Sequence, residues 1–336
     1  MFGYAQISLR DYTMKTRFTE MFGVKTPIIC GGMMRVGTPE LAAAVSNAGG
    51  LGVMTALSLP NPEELKAGIE KCQSLTDQPF AVNLTVGVVS TDIDYQDYLD
   101  VICNSGVKIV ETAGRSPEPF MEQFNAHGIK VIHKCVAVRH ALKAERIGVA
   151  AVSIDGFECA GHPGEEDIPG LILIPAAAKK LEIPVIASGG IADGRGLAAA
   201  LALGAEGINM GTRFIATKEA QVHENVKDAL VEMNETQTTL IFRSYRNTAR
   251  VYKNAVAEKV LAVEKAGGEF GEVHGMVGRA QQDIAWATGD MDAGMVTFGQ
   301  SGGLIDDIPS CQELINGIVA EAEQIINERL ANITAG

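Results

Sequence analysis

No Cys-x-x-Cys pair occurs in this sequence. Its six cysteines, Cys30, Cys72, Cys103, Cys135, Cys159 and Cys311, are scattered, which excludes a zinc ribbon or a haem-attachment site. Basic residues are in short supply. Lys and Arg number 28 against 41 Asp and Glu, a net charge of −13, which argues against nucleic acid or an anionic membrane surface as the main partner. No Gly-X-Y period accompanies the 37 glycines. Their excess over the usual ~7% is therefore not collagen-like and requires turns and close backbone approaches. No apolar run is long enough to cross a bilayer: the longest uncharged stretch, 41–62, is interrupted by Asn47, Gly49, Gly50, Pro60 and Asn61. A secretory apolar region is missing too, since Arg10 and Asp11 sit where it would lie. These absences predict a cytoplasmic chain with reduced thiols.

What is present is a repeat of strand, loop and helix. A chain of 336 residues, 46% of them hydrophobic, can bury one large core or a barrel with an appendage. Eight short β-branched runs occur at 27–32, 51–56, 80–86, 107–113, 129–135, 150–156, 183–190 and 206–212. Helical patterns separate them. Thr38-Pro39 and Asn61-Pro62 each supply an N-cap and a first-turn proline, and Gly49-Gly50 closes the first helix. Segments 137–148 and 193–204 are further helices ending in Gly. Near-continuous apolar strands alternating with helices imply a parallel sheet. Eight such units in about 190 residues predict an α/β fold, a closed (β/α)8 TIM barrel. An open doubly wound sheet is the alternative, disfavoured because no Gly-x-Gly-x-x-Gly follows the first run. The barrel is expected to reach residue 233, with 223–233 as its last helix. Residues 234–336 read as a helical appendage at the barrel mouth. Within it, 311–333 carries Leu314, Ile315, Ile318, Val319, Ala322, Ile325, Ile326 and Leu330 on one docking stripe.

In such a barrel the chemistry sits at the C-terminal strand ends. Runs seven and eight end in Gly189-Gly190 and Gly211-Thr212. These can bring backbone N–H groups and a helix N-terminus to a phosphate, or they can simply make tight turns. Gly31-Gly32-Met33 ends the first run and would let a flat ring lie against the main chain, or forms a plain loop. Lys134 and Asp155 end neighbouring runs and are assigned to the cofactor site. Lys134 could stabilise negative charge there, or be merely salt-bridged. His133 should point the opposite way, towards the helices. The loop 156–170 holds His162 between Gly161 and Pro163, a titratable imidazole over the mouth suited to a general base or a hydrogen-bond donor. A solvated loop histidine is its alternative. The other histidines read as surface groups, Cys30 and Cys159 as packing, and Glu165, Glu166 and Asp167 as a solvated acidic lid.

The set PIICGGM, AVNLT, HK, DGFECAGHPG, IPVIASGG and ALGAEGINMGTRF resembles the nitronate monooxygenase (2-nitropropane dioxygenase) family of FMN-dependent (β/α)8 enzymes. The resemblance runs from about Lys15 to the C-terminus. Met14 looks like a family N-terminus, so residues 1–13 read as an extension and 14–233 as the FMN-binding barrel. By this resemblance Gly31, Gly32 and Met33 would lie along the flavin ring. Asn83 and Thr85 would bond its polar edge or ribityl chain, Lys134 would sit near the ring, and Gly161 would approach the cofactor. Gly189, Gly190, Gly211 and Thr212 would hold the phosphate, with His162 facing the substrate. No metal is implied.

Segments 133–135, 137–149 and 154–171 resemble the family's bacterial NADH:quinone reductase subgroup. Met34-Arg35 depart from it, and the Gly299-Gln300 pair resembles the monooxygenase branch more than the reductase. Arg35, if turned into the mouth, would add a cation for an anionic substrate. Three readings stay open: oxidation of an alkyl nitronate by O2, electron transfer from NADH to a quinone, and a related enoyl reductase or a non-catalytic FMN-binding module.

Overall fold

The computed structural model describes residues 12–87 and 94–334, so most of the expected extension 1–13 lies outside the described residues. Eight parallel strands close into a barrel: β1 (Ile28–Cys30), β2 (Leu51–Thr55), β3 (Phe80–Val86), β4 (Ile109–Gly114), β5 (Lys130–Cys135), β6 (Ala151–Asp155), β7 (Val185–Ser188) and β8 (Gly207–Met210). Each pairs with the next, and β8 returns to β1 through Ile28↔Ile208 and Cys30↔Met210. A separate antiparallel pair, β9 (Thr238–Ile241) and β10 (Ala249–Tyr252), follows.

The two-residue period of each strand sorts its side chains. One parity, Ile29, Leu51, Val53, Ala81, Ile109, Ile132, Ala151 and Ile186, fills the lower barrel interior together with Phe18 and Phe22. Those phenylalanines come from the helix Arg17–Phe22, started by a Thr16/Thr19 capping box and stopped by left-handed Gly23, φ 70°. The other parity, including Val82, Val110, Val131, Val152 and Ile208, joins the helices in the outer core. Two residues further along the inward parity the chemistry changes. Thr55, Asn83, Glu111, Ser153, Asp155, Ser188 and Asn209 are all buried, and Lys134 belongs to the same row. The barrel is apolar at its base and polar at its C-terminal end, where a site can form.

Gly52 shows how closely the outer layer packs. A Cβ there would fall 1.9 Å from the Ala42 carbonyl oxygen in the helix Pro39–Asn47. Gly52→Ala must therefore push that helix off the barrel. It is expected to destabilise the fold by about 2 kcal/mol, read as a lower midpoint in denaturant unfolding; an unchanged midpoint would contradict the contact.

The helix expected to close the barrel does not do so. Instead of 223–233, the helix Cys311–Gln324 packs against Gly194–Ala202, which follows β7, and against Pro39–Asn47, which follows β1. Gly194 permits this contact: its N–H donates to Glu321 Oε2 at 2.7 Å, and a Cβ would meet Ile318 O at 2.6 Å. Two amphipathic stripes of similar quality compete for one groove, and only packing decides between them.

Residues between these elements form a layer with its own core, Ile241, Phe242, Ala249, Val251, Val256, Val260 and Val273. It carries the helices Ala255–Lys265, Phe270–Val277 and Arg279–Thr288. It is tied to loops at the polar end of the barrel. Gly161 and Arg250 exchange backbone hydrogen bonds, Gly299 N–H donates to Thr212 Oγ1 at 3.0 Å, and Gln300 N–H donates to the Glu158 carbonyl at 3.0 Å. Among the described residues no helix is long and apolar enough to cross a membrane.

Candidate active site

At the polar end, Glu111 is the hub. Fully buried on β4, its carboxylate accepts from Gly32 N–H at 2.9 Å, Asn83 Nδ2 at 2.8 Å and Asn209 Nδ2 at 2.9 Å. Asn209 also donates to Ser153 Oγ at 3.2 Å, and Thr85 Oγ1 donates to Asn83 Oδ1 at 3.1 Å. Three charge-assisted bonds hold one end of β1 and the amides of β3 and β8 in a single arrangement. Sequence patterns single out neither Asn209 nor Ser153 as a site residue and place Glu111 only among the strand ends. One signal was available: a lone acid inside an otherwise apolar strand, VKIVETA.

These amides also explain the first glycines. A Cβ on Gly32 would lie 2.4 Å from Asn83 Cβ, and one on Gly31 would lie 2.3 Å from Asn209 Oδ1. Side chains inside the barrel therefore already require both glycines. Met33 anchors the same loop, accepting from Thr55 Oγ1 at 3.0 Å, with its sulfur beside Gly211.

Lys134 Nζ lies 3.8 Å from Asp155 Oδ2. Burial alone would lower the lysine's pKa, but Asp155 and Glu111 outweigh it and hold the ammonium above its ordinary value. Burial raises the Asp155 pKa against the pull of Lys134. Asp155 Oδ1 is buried without a hydrogen-bond partner, a state that normally marks a place for a ligand or water. Gly32, Asn83, Thr85, Lys134, Asp155 and His162 all line one cleft of about 750 Å³, within the range of ligand sites.

His162 keeps contact with solvent. Desolvation by the surrounding loop lowers its pKa, partly opposed by Glu165, so the neutral imidazole prevails at neutral pH. Its loop is pinned rather than loose. Glu165 accepts from Thr248 N–H at 2.8 Å and Oγ1 at 2.6 Å, Asp167 pairs with Arg243 at 2.6 Å, and Glu166 pairs with Arg139. The acidic run read as a solvated lid is thus the loop's fastening.

Other expected residues flank the cleft without lining it. Gly189 and Gly190 turn the chain after β7 at φ 86° and 75°, which only glycine adopts without strain. Gly211 and Thr212 open the short helix Thr212–Ile215. Gly161, φ 71°, is bridged to Arg250. Arg35, φ 70°, does not line this cleft: it pairs with Asp283 and donates to Gln282 Oε1 at 3.1 Å. His140, read as a surface group, lines the cleft as well.

His133 is buried, with Nδ1 2.8 Å from Thr112 Oγ1. Desolvation first, then His140, drives its pKa to about 4 against the bond to Thr112. The unfolded chain therefore takes up this proton near pH 6.5 and the native chain only near 4, so stability falls as pH drops through that window. The slope attributable to His133 is about 1.4 kcal/mol per pH unit. His133→Gln should remove it, as denaturant unfolding at pH 7 and pH 5 can show; an unchanged slope would place the titration elsewhere.

This geometry can be compared with known proteins. The nitronate monooxygenase family description matches residues 15–93 and 85–321. The chain belongs to the nitronate monooxygenase family. It is accordingly an enzyme, a flavin-dependent oxidoreductase. Relatives in the wider group bear different names. A probable nitronate monooxygenase of Staphylococcus saprophyticus is 30% identical over 94% of this chain and 99% of its own. An octahydro-indene carboxyl-CoA dehydrogenase of Rhodococcus jostii is 32% identical over 92% of this chain and 96% of its own. The structure of FabK from Thermotoga maritima superposes with a TM-score of 0.89 at 35% identity, over 95% of this chain and all of that one. A Streptomyces ansochromogenes nitroalkane oxidase, 24% identical with a TM-score of 0.78, shares the fold.

Proposed function

We propose that this chain is an FMN-dependent nitronate monooxygenase, oxidising alkyl nitronates with O2 to a carbonyl compound and nitrite. The observation that carries the reading is the convergence on one cleft of a charge-held ammonium, Lys134, and a neutral imidazole, His162, in a chain of net charge −13. The residues fit a flavin. Asp155 Oδ1 is an orphaned buried atom, Asn83 and Thr85 offer polar groups on the cleft wall, and left-handed Gly189 and Gly190 with the helix start at Gly211 and Thr212, which flank the cleft, would receive its phosphate. FMN, when bound, supplies the electron transfer between substrate and oxygen. Lys134 holds negative charge at the ring, and His162 binds the nitronate or takes the α-proton of the neutral nitroalkane. The purified yellow protein is expected to consume oxygen and release nitrite from propionate 3-nitronate; neither signal at millimolar substrate would end this reading.

The resemblance of the loop 154–171 to the quinone reductase subgroup and the name of the Rhodococcus relative, a carboxyl-CoA dehydrogenase, favour a second reading, in which the same site passes electrons from NADH to a quinone or a thioester-linked acceptor. It predicts rapid anaerobic bleaching of the flavin by NADH, and oxidised flavin persisting in millimolar NADH counts against it.

A further inference from the structure

The cleft is basic in an acidic protein. Its walls carry Arg115, Lys134, Lys143 and Arg246 against two acids, Asp155 and Glu165. Both acids already have partners: Asp155 faces Lys134, and Glu165 accepts two bonds from Thr248. Lys143 pairs with Glu118 at 2.9 Å. Arg115 and Arg246 have no carboxylate paired with either guanidinium among the described residues. They come from different elements, Arg115 just after β4 and Arg246 in the turn between β9 and β10.

Backbone geometry places both. Gly87, φ 70°, lies under the Arg115 side chain: a Cβ there would meet Arg115 Cδ at 2.6 Å. Arg246 itself has φ 54°, a left-handed conformation that a side-chain-bearing residue holds at a cost and that concentrates at functional sites. Two exposed guanidiniums without a salt bridge among the described residues face one cleft, with Glu165 near enough to Arg246 to act on it, and offer an anion two binding forks. A small nitronate held by Lys134 and His162 leaves them unmatched. A phosphate or diphosphate, with more oxygens and more charge than a carboxylate, can engage two guanidiniums at once.

We infer that Arg115 and Arg246 form an outer subsite for the diphosphate of a nucleotide cosubstrate, the group shared by coenzyme A thioesters and the pyridine dinucleotides. This rests on the flavin reading only in that the inner cleft holds the reacting groups.

The purified full-length chain is titrated calorimetrically with coenzyme A and with NADH, at low and moderate salt, and its flavin content is measured separately. One of the two is expected to bind. Arg115→Gln and Arg246→Gln should each weaken that binding at least about fivefold and flatten its salt dependence, with the melting temperature kept. Preference for coenzyme A identifies a thioester substrate, and preference for NADH an electron donor; either supports the subsite. Absence of binding by both at millimolar concentration, or affinity within twofold of wild type in both variants, overturns it. A colourless chain that binds either ligand would sink the flavin reading and leave the subsite standing; a yellow chain that ignores both would do the reverse.

Discussion

His162→Ala is expected to lower kcat/KM for a neutral nitroalkane by about 10²–10⁴, the range for a positioned proton-transfer group, while flavin content and melting temperature stay near wild type. The fold should tolerate the change, because other residues hold the loop: the Gly161–Arg250 bridge, the Glu165–Thr248 bonds and the Asp167–Arg243 pair. Among the described residues the His162 ring makes no hydrogen bond, so its nitrogens are available to substrate. The lowered pKa adds a second signature. Activity that needs the neutral ring should fall off only below pH 6.5, and that acid limb should vanish in the variant. Unchanged kcat/KM would remove His162 from the mechanism.

Lys134→Met is the other large effect. It deletes the cation that Asp155 and Glu111 hold charged and leaves Asp155 facing an apolar chain. Breaking a buried pair leaves an uncompensated charge, but Asp155, whose pKa burial already raises, can escape part of the cost by taking a proton. We expect about 2 kcal/mol of lost stability at neutral pH, less at pH 5. We also expect a flavin midpoint potential more negative by about 60 mV, the two-electron equivalent of roughly 3 kcal/mol. An unaltered potential would show that the ammonium does not act on the flavin.

Much of the barrel was readable because its signals are local. The eight apolar runs and the Thr38 and Asn61 caps each depend on a few neighbouring residues, and each appears where those residues place it. The opposition of His133 and Lys134 follows from strand alternation alone. Glu111 was harder to see. Its value comes from Gly32, Asn83 and Asn209, which lie 79, 28 and 98 residues away, and no local pattern announces such a meeting. The direction of Arg35 stays open in the sequence for the same reason, since its partners Gln282 and Asp283 are about 250 residues distant.

Near-continuous apolar runs alternating with helices, helix caps and glycine placement were enough to predict an eight-fold α/β barrel with Lys134 and His162 at its mouth, because hydrogen-bonding geometry and side-chain parity act over a few residues. Closure decided the rest. Only when β8 meets β1 do Asn83, Glu111 and Asn209 share one interior, and only packing chooses Cys311–Gln324 over 223–233 as the closing helix. Those choices turn on contacts between segments far apart in the chain, whose free energies depend on the shape of the space they fill.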